Sequence, residues 1–147
     1  MAQLKRAASP FRFHIPQDLV PNLRSLRARQ QDWNEIIDAE DVVHLYYGLG
    51  PSLFLAFDGR VLVDPSAWNE TDAYEVTDPK EAWCAIVLGA DIWKLSALLQ
   101  LLPTRPLNAR DCSECQGTGW VSWVDAVGKK GRILCWDRCG GLGWERA

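Results

Sequence analysis

The sequence has little of what catalytic sites and membrane spans require. Its two histidines, His14 and His44, have no neighbouring serine or cysteine in a recognisable nucleophile motif. No apolar run approaches the roughly 20 residues that a transmembrane helix needs, and no signal-peptide core follows Met1. We therefore expect a cytoplasmic protein that is not an enzyme and has no membrane partner.

Charge is unevenly distributed along the 147 residues, although the net charge is only −3. Residues 31–104 hold three basic and thirteen acidic side chains, whereas residues 1–30 and 105–147 are net basic. An acidic surface disfavours nucleic acid and favours a cationic protein partner. The alternative is an acidic face that only keeps the domain soluble. Residues 64–77 have the composition of a long loop, and the partner-binding candidates in it are Trp68, Glu70, Asp72 and Glu75.

Four of the five cysteines form two close pairs in the last third of the chain, Cys112-x2-Cys115 and Cys135-x3-Cys139. Pairs at this spacing can each supply two corners of a zinc tetrahedron, and the pattern is typical of a zinc ribbon apart from one extra residue in the second pair. The alternatives are four reduced core thiols or two disulfides. Cys84 falls in an apolar helical run and is interpreted as a core thiol.

Each pair is followed by the same pattern of glycine at +2 and +4 and tryptophan at +5, in Cys115-Gln-Gly-Thr-Gly-Trp120 and Cys139-Gly-Gly-Leu-Gly-Trp144. Glycine permits the tight turns that bring backbone N–H groups to thiolates. The pattern resembles the CxxCxGxG repeats of the DnaJ-type cysteine-rich zinc module, in which two repeats share one zinc ion. The resemblance covers residues 111–144. No His-Pro-Asp signature and no Gly/Phe-rich linker accompany it, so a full co-chaperone is not implied.

The residues between the cysteine pairs predict a β-hairpin clamped by one structural zinc ion. Trp120–Val127 and Arg132–Cys135 have strand character, and Gly128–Gly131 has the composition of the turn. Four thiolates leave no open position for catalysis. The module over residues 108–147 contains four tryptophans that a hairpin of this size cannot bury alone, so we expect it to dock on the preceding domain.

Residues 11–103 predict a small α+β domain, preceded by a flexible basic arm over residues 1–10. Val42–Tyr47 and the two arms of the hairpin Ser52–Val63 form an antiparallel sheet, with a two-residue type I′ turn at Asp58-Gly59.

Three helices are expected to pack on this sheet, over residues 17–31, 79–88 and 91–102. Asp78 is the predicted N-cap of the second helix, Gly89 its stop, and Asp91 the cap of the third.

These features favour a non-enzymatic, zinc-containing protein that binds another protein. A narrower hypothesis is an immunity protein that neutralises a cationic toxin, which such small acidic α+β proteins resemble in type and not in motif. A second hypothesis is a nucleic-acid reader. It would use the basic residues Lys129, Lys130, Arg132 and Arg138, and it requires them to share one exposed face with an indole. A third, from the DnaJ resemblance, is a binder of unfolded polypeptide.

Overall fold

The computed structural model describes residues 4–30, 40–46, 51–65 and 72–146. The chain divides into two compact units, Met1–Leu101 and Leu102–Ala147. Each unit has its own β-structure, and the second contains the four paired cysteines. The predicted α+β fold, with C-terminal strands beside a cysteine cluster, is confirmed. Docking of the second unit on the first stays a prediction.

The first unit is built on a five-stranded sheet in the order β1-β5-β4-β3-β2. Neighbouring strands are antiparallel except for β1 and β5, which are parallel. The expected arm over residues 1–10 therefore supplies an edge strand, and the expected loop 64–77 contains β5. The bounds are β1 Leu4–Lys5, β2 Val42–Tyr46, β3 Ser52–Ala56, β4 Val61–Asp64 and β5 Ala73–Glu75.

Two α-helices pack against β2. A 3-10 turn, Gln17–Leu19, leads into α1, Val20–Arg29, and α2 spans Pro79–Trp93. A further 3-10 helix covers Ser96–Leu101.

Helix α2 begins as expected but does not stop at Gly89. The carboxylate of Asp78 accepts a hydrogen bond from the N–H of Lys80 at 3.0 Å, which caps the helix. Gly89 lies within the helix, and its lack of a side chain allows the helix to pack closely on β2, since a Cβ there would sit 2.8 Å from the side chain of Leu45. The helix ends at Lys94, which adopts a left-handed φ of 53°. Asp91 consequently lies inside this helix and caps no second one.

The hairpin between β3 and β4 is present, but its turn is one residue longer than predicted. The N–H of Gly59 donates to the carbonyl of Ala56 at 2.9 Å, and the N–H of Ala56 donates to the carbonyl of Arg60 at 2.9 Å. Only Gly59, with φ of 96°, has positive φ in this loop. These bonds define a three-residue loop that ends in a left-handed glycine, in place of a type I′ turn.

Side chains of α1 satisfy the outer edge of β2. The amide of Gln30 donates to the carbonyl of His44 and accepts from its N–H, both at 2.8 Å, and Arg27 donates to the carbonyl of Val42. A side-chain amide thus replaces a neighbouring strand, which protects this edge from intermolecular pairing. The His44 ring is fully buried and stacks on Phe54 with 4.8 Å between ring centroids. Burial lowers the pKa of His44 to about 4, because it penalises the charged imidazolium.

The second unit contains two separate two-stranded antiparallel sheets. One pairs β6 with β9, and the other pairs β7 with β8. The bounds are β6 Arg110–Asp111, β7 Trp120–Val124, β8 Lys130–Leu134 and β9 Trp144–Glu145. The cysteine pairs lie where the two sheets meet, one pair after β6 and the other after β8.

Candidate metal centre

Four cysteine thiols meet in the second unit, and their sulfur atoms all lie within 4.8 Å of one another. The cluster consists of Cys112, Cys115, Cys135 and Cys139, all of them buried. The Cys112 and Cys135 sulfurs are 3.8 Å apart, and the Cys115 and Cys139 sulfurs are 3.7 Å apart. A disulfide needs about 2.05 Å between sulfurs, so all four thiols are free. The cluster can therefore hold a metal ion.

The two cysteine repeats complete each other by crossed backbone hydrogen bonds. The N–H of Cys112 donates to the carbonyl of Gly143, and the N–H of Cys135 donates to the carbonyl of Gly119, both at 2.9 Å. The first cysteine of each repeat is thus tied to the last glycine of the other. These two reciprocal hydrogen bonds give the cluster approximate twofold symmetry, in keeping with the repeated sequence. The unequal spacing of the two cysteine pairs does not disturb that symmetry.

The second glycine of each repeat directs its N–H at the second cysteine. The N–H of Gly119 donates to the sulfur of Cys115 at 3.2 Å, and the N–H of Gly143 donates to the sulfur of Cys139 at 3.3 Å. Such donors stabilise negative charge on sulfur, which a metal-bound thiolate carries.

The same glycines are also required by close backbone packing. A Cβ added to Gly119 would lie 2.5 Å from the carbonyl oxygen of Gly141, and one added to Gly143 would lie 2.5 Å from that of Gly117. Gly119 and Gly143 have φ of 83° and 84°, a region that favours glycine. Only glycine meets both requirements at these two positions.

The extra residue of the second pair is absorbed before Cys139. The turn that follows is the same in both repeats, because the N–H of Gly117 donates to the carbonyl of Cys112 at 3.2 Å, as that of Gly141 does to Cys135 at 2.8 Å. The C-x3-C spacing therefore places its thiols in the cluster as well as the C-x2-C spacing does.

Burial and backbone donors act in opposite directions on the thiols. Burial opposes ionisation of Cys115, but the N–H groups of Gly119 and Gly117 and the neighbouring thiols outweigh it, so the pKa of Cys115 is lowered. Burial raises the pKa of Cys135 and Cys139 above the ordinary cysteine value. A bound divalent cation would supply the positive charge that allows all four to ionise, since a coordinating thiol is deprotonated.

The hairpin between the repeats turns earlier than predicted. The N–H of Asp125 donates to the carbonyl of Lys129 at 2.9 Å, and the N–H of Gly128 donates to the carbonyl of Asp125 at 3.0 Å. The Asp125 carboxylate accepts from the N–H groups of Val127 and Lys129 at 3.0 and 2.8 Å. The turn is thus Asp125–Lys129, and Gly131 belongs to β8.

One face of this hairpin is apolar, and we call it the indole face: Val121, Trp123 and Ile133. The Trp123 ring covers Gly131, where a Cβ would lie 2.1 Å from the ring. Gly131 therefore serves the packing of this indole and not a turn. Trp123 is 47% exposed and Ile133 is 56% exposed.

The opposite face of the hairpin carries positive charge. Lys130 and Arg132 lie on it, and the Arg132 guanidinium stacks 3.9 Å above the Trp120 ring. Arg138 lies outside the hairpin, and its Nε is 3.0 Å from a carboxylate oxygen of Glu145. The predicted nucleic-acid set, Lys129, Lys130, Arg132 and Arg138, is exposed throughout. The half-buried Trp120 indole shares this face with Lys130 and Arg132, and Arg132 already stacks on it. The more exposed Trp123 indole lies on the other face.

The acidic partner-binding candidates do not form one described surface. Trp68 and Glu70 lie outside the described residues. Asp72 is partly exposed and lies 3.9 Å from the ammonium of Lys5. Glu75 was expected in an exposed loop, and this is wrong: it ends β5 and is buried.

Glu75 belongs to a buried ionic cluster that the sequence did not indicate. Its carboxylate accepts from the Arg60 guanidinium and, at 2.6 Å, from the N–H of Ala7. Burial opposes its ionisation, but the Ala7 and Arg60 donors outweigh burial, and the pKa of Glu75 is lowered. Arg60 also pairs with Asp58 at 2.8 Å. One indication of this cluster was present in the sequence, the charged Arg60 just before the apolar run 61–63. The sequence did not indicate the partner, because Glu75 lies on another strand.

The chain thus joins an α+β unit to a unit whose four clustered cysteines could hold a metal ion. No protein-family model matches the chain, and neither a curated protein nor a solved structure matches it. Among the described residues, no helix has the length and apolar character to span a bilayer.

Proposed function

We propose that this chain is a non-enzymatic binding protein whose second unit is folded around one structural zinc ion. The observation that carries the zinc assignment is the buried cluster of four thiols. Its closest sulfur separations are 3.7 and 3.8 Å. The edge of a tetrahedron with sulfur at roughly 2.3 Å from a central zinc is about 3.8 Å. Four thiolates fill the coordination sphere, which suits a structural ion and leaves no position for a reacting water.

The small core of the second unit supports a structural role. Apart from the four cysteines, Leu134 is the only buried apolar side chain described in this unit. Burying one leucine contributes about 2–3 kcal/mol, far below the ordering cost of about 1.5 kcal/mol for each residue of the unit. Metal binding in such small units supplies the free energy of folding.

The indole face supports the binding of another protein. Exposed tryptophan and isoleucine side chains on a rigid hairpin are typical of protein interfaces. Most of the exposed large apolar side chains described in the chain belong to the second unit: Leu107, Trp123, Val124, Val127, Ile133 and Trp136. A role as an immunity protein against a cationic toxin stays a prediction, since it depends on the acidic candidates.

The zinc assignment is tested by elemental analysis of protein purified without added metal, for the wild type and two cysteine variants. We expect about one zinc ion per chain in the wild type and in Cys84→Ala, whose thiol lies in the first unit. Cys115→Ala should lose the ion and the dispersed amide signals of residues 110–145. Wild-type protein free of metal, with those signals intact, would contradict the assignment.

Protein binding is tested by comparing two matched surface substitutions of the zinc-loaded protein. Ile133→Ser removes an exposed apolar side chain of the indole face, whereas Leu107→Ser removes one that is exposed outside the hairpin. In-cell photo-crosslinking from a photoreactive phenylalanine at position 123, which keeps an aromatic side chain at an exposed site, should give a discrete protein adduct that Ile133→Ser abolishes and Leu107→Ser retains. An adduct that both substitutions leave unchanged would contradict binding at this face.

A further inference from the structure

The outer edge of β7 is open in the described structure. The β7/β8 ladder is flanked at its two ends by the residue pairs Asp125/Lys129 and Gly119/Cys135, and each of these pairs has a backbone hydrogen bond of 2.9 Å. In an antiparallel ladder hydrogen-bonded and non-bonded pairs alternate, so the backbone N–H and C=O groups of Ser122 point away from β8. The sheet has two strands, and no other strand in the described ranges pairs with this edge.

The two edges of the hairpin differ in charge. β8 carries Lys130 and Arg132, the kind of side chain that protects an edge from pairing. β7, Trp120–Val124, has no charged residue and no proline. The edge on the β7 side therefore lacks the usual protection against strand addition. By contrast, the edge strand β2 of the first unit is covered by the side chain of Gln30.

The side chains beside this edge specify what a third strand would carry. On the indole face, every second residue of an added strand would lie next to Val121 and Trp123, and apolar side chains fit there. The alternate residues would lie next to Trp120, Ser122 and Val124. On that face Lys130 and Arg132 extend from the neighbouring strand β8. An acidic side chain fits beside Ser122, because serine is short and Arg132 lies directly opposite it on β8.

We propose that the outer edge of β7 binds an extended polypeptide segment of alternating apolar and acidic residues, which adds to the hairpin as a third strand. Backbone hydrogen bonds to Ser122 and Val124 hold the segment, and the Trp123 indole packs on its apolar side chains. The positive face of the hairpin selects its acidic ones. The inference rests on the proposed protein-binding function and specifies the partner and the way it binds.

The test uses the zinc-loaded full chain and a short synthetic peptide of alternating valine and glutamate, with an alternating valine and lysine peptide as the control ligand. Titration by two-dimensional NMR gives the affinity, and hydrogen exchange of the Ser122 amide reports on pairing. We expect the glutamate peptide to bind and to slow that exchange by at least about tenfold. The lysine peptide should bind at least about tenfold more weakly.

Two substitutions at one position separate backbone pairing from side-chain contact. Ser122→Pro removes the outward N–H without removing a bond to β8, and Ser122→Thr keeps it. We expect about tenfold weaker binding for Ser122→Pro, which is the effect of losing one hydrogen bond. Ser122→Thr should change the affinity little. Because proline can disturb the strand, Val124→Glu gives an independent check: it places a negative charge beside Lys130, on the face that would carry the partner's acidic side chains, and should weaken binding of the glutamate peptide with zinc content unchanged.

The outcomes distinguish this inference from the function on which it rests. Peptide binding at Trp123 without slower exchange at Ser122 would overturn strand addition. Equal binding of both peptides would overturn the selection of acidic residues. Either result would overturn the inference and leave protein binding standing. Absence of zinc from the wild type would overturn the proposal that the second unit folds around a zinc ion. Binding of a single-stranded oligonucleotide in preference to either peptide would overturn both the inference and the protein-binding function.

Discussion

Replacing Gly119 by alanine should weaken zinc binding strongly, and Gly128 provides the matched control. Both glycines have φ of 83°. Alanine in this region costs about 1–2 kcal/mol at either position. A Cβ at Gly128 meets nothing within 4 Å, whereas one at Gly119 lies 2.5 Å from the carbonyl oxygen of Gly141. The difference between the two variants thus isolates the contact between the repeats.

The size of that difference follows from the atom that must move. The obstacle is a backbone carbonyl and cannot rotate away, and Gly119 also donates to the sulfur of Cys115. Overpacking of this kind costs about 1–3 kcal/mol. With folding of the unit coupled to metal binding, as proposed above, Gly119→Ala should bind zinc about 5-fold to 150-fold more weakly than Gly128→Ala.

Competition with a chromophoric chelator measures the apparent zinc affinity of each variant. Gly143→Ala is the symmetry-related substitution, since its Cβ would lie 2.5 Å from the carbonyl oxygen of Gly117. It should resemble Gly119→Ala. If Gly119→Ala and Gly143→Ala both bind zinc as tightly as Gly128→Ala, the close packing of the two repeats is refuted.

Two further predictions concern buried charge in the first unit. His44 stays neutral in the folded state down to about pH 4, whereas in the unfolded chain it binds a proton below about pH 6.5, so stability falls as pH is lowered through this window. Urea unfolding at about pH 7 and about pH 4.5 should show a loss roughly 2.5 kcal/mol larger for the wild type than for His44→Leu, and equal losses would contradict the burial argument. Glu75→Gln should lower the free energy of unfolding by up to about 3 kcal/mol, because it leaves the Arg60 guanidinium with weaker partners. The control Asp72→Asn breaks a 3.9 Å pair with Lys5 and should lower the free energy of unfolding by less than about 1 kcal/mol. Since the pKa of Glu75 is lowered, its contribution is present above the unfolded carboxyl pKa and is lost as pH falls toward the folded value, and equal costs for the two variants would contradict the burial of Glu75.

The cysteine cluster could be predicted because its signal is local and repeated. A close cysteine pair occurs twice, as Cys112-x2-Cys115 and Cys135-x3-Cys139, each followed by glycine at +2 and +4, and these glycines have the same roles in both repeats. The α+β class followed in the same way from the β-branched and aromatic run Val42–Tyr47, from the apolar runs on either side of Asp58-Gly59, and from the Asp78 cap.

The structure differs from the sequence-based predictions where residues distant in the chain decide the local structure. Gly89 resembles a helix stop in sequence, but the helix continues through it, and glycine is required there because Leu45 on β2 occupies the space where a side chain would project. Gly131 has the composition of a turn, but it lies under Trp123. Arg60 and Glu75 meet across β4 and β5, and no spacing along the chain indicates that pair.

The crossed bonds between the repeats set an order for assembly during translation. Cys112 needs the carbonyl of Gly143, so the first repeat cannot close before the second has been synthesised. Cys112 and Cys115 therefore leave the ribosome as reduced, unprotected thiols and remain so until nearly the whole unit has emerged. On the proposed metal site, the ion can be enclosed only after both repeats have emerged, and until then the thiols are open to oxidation.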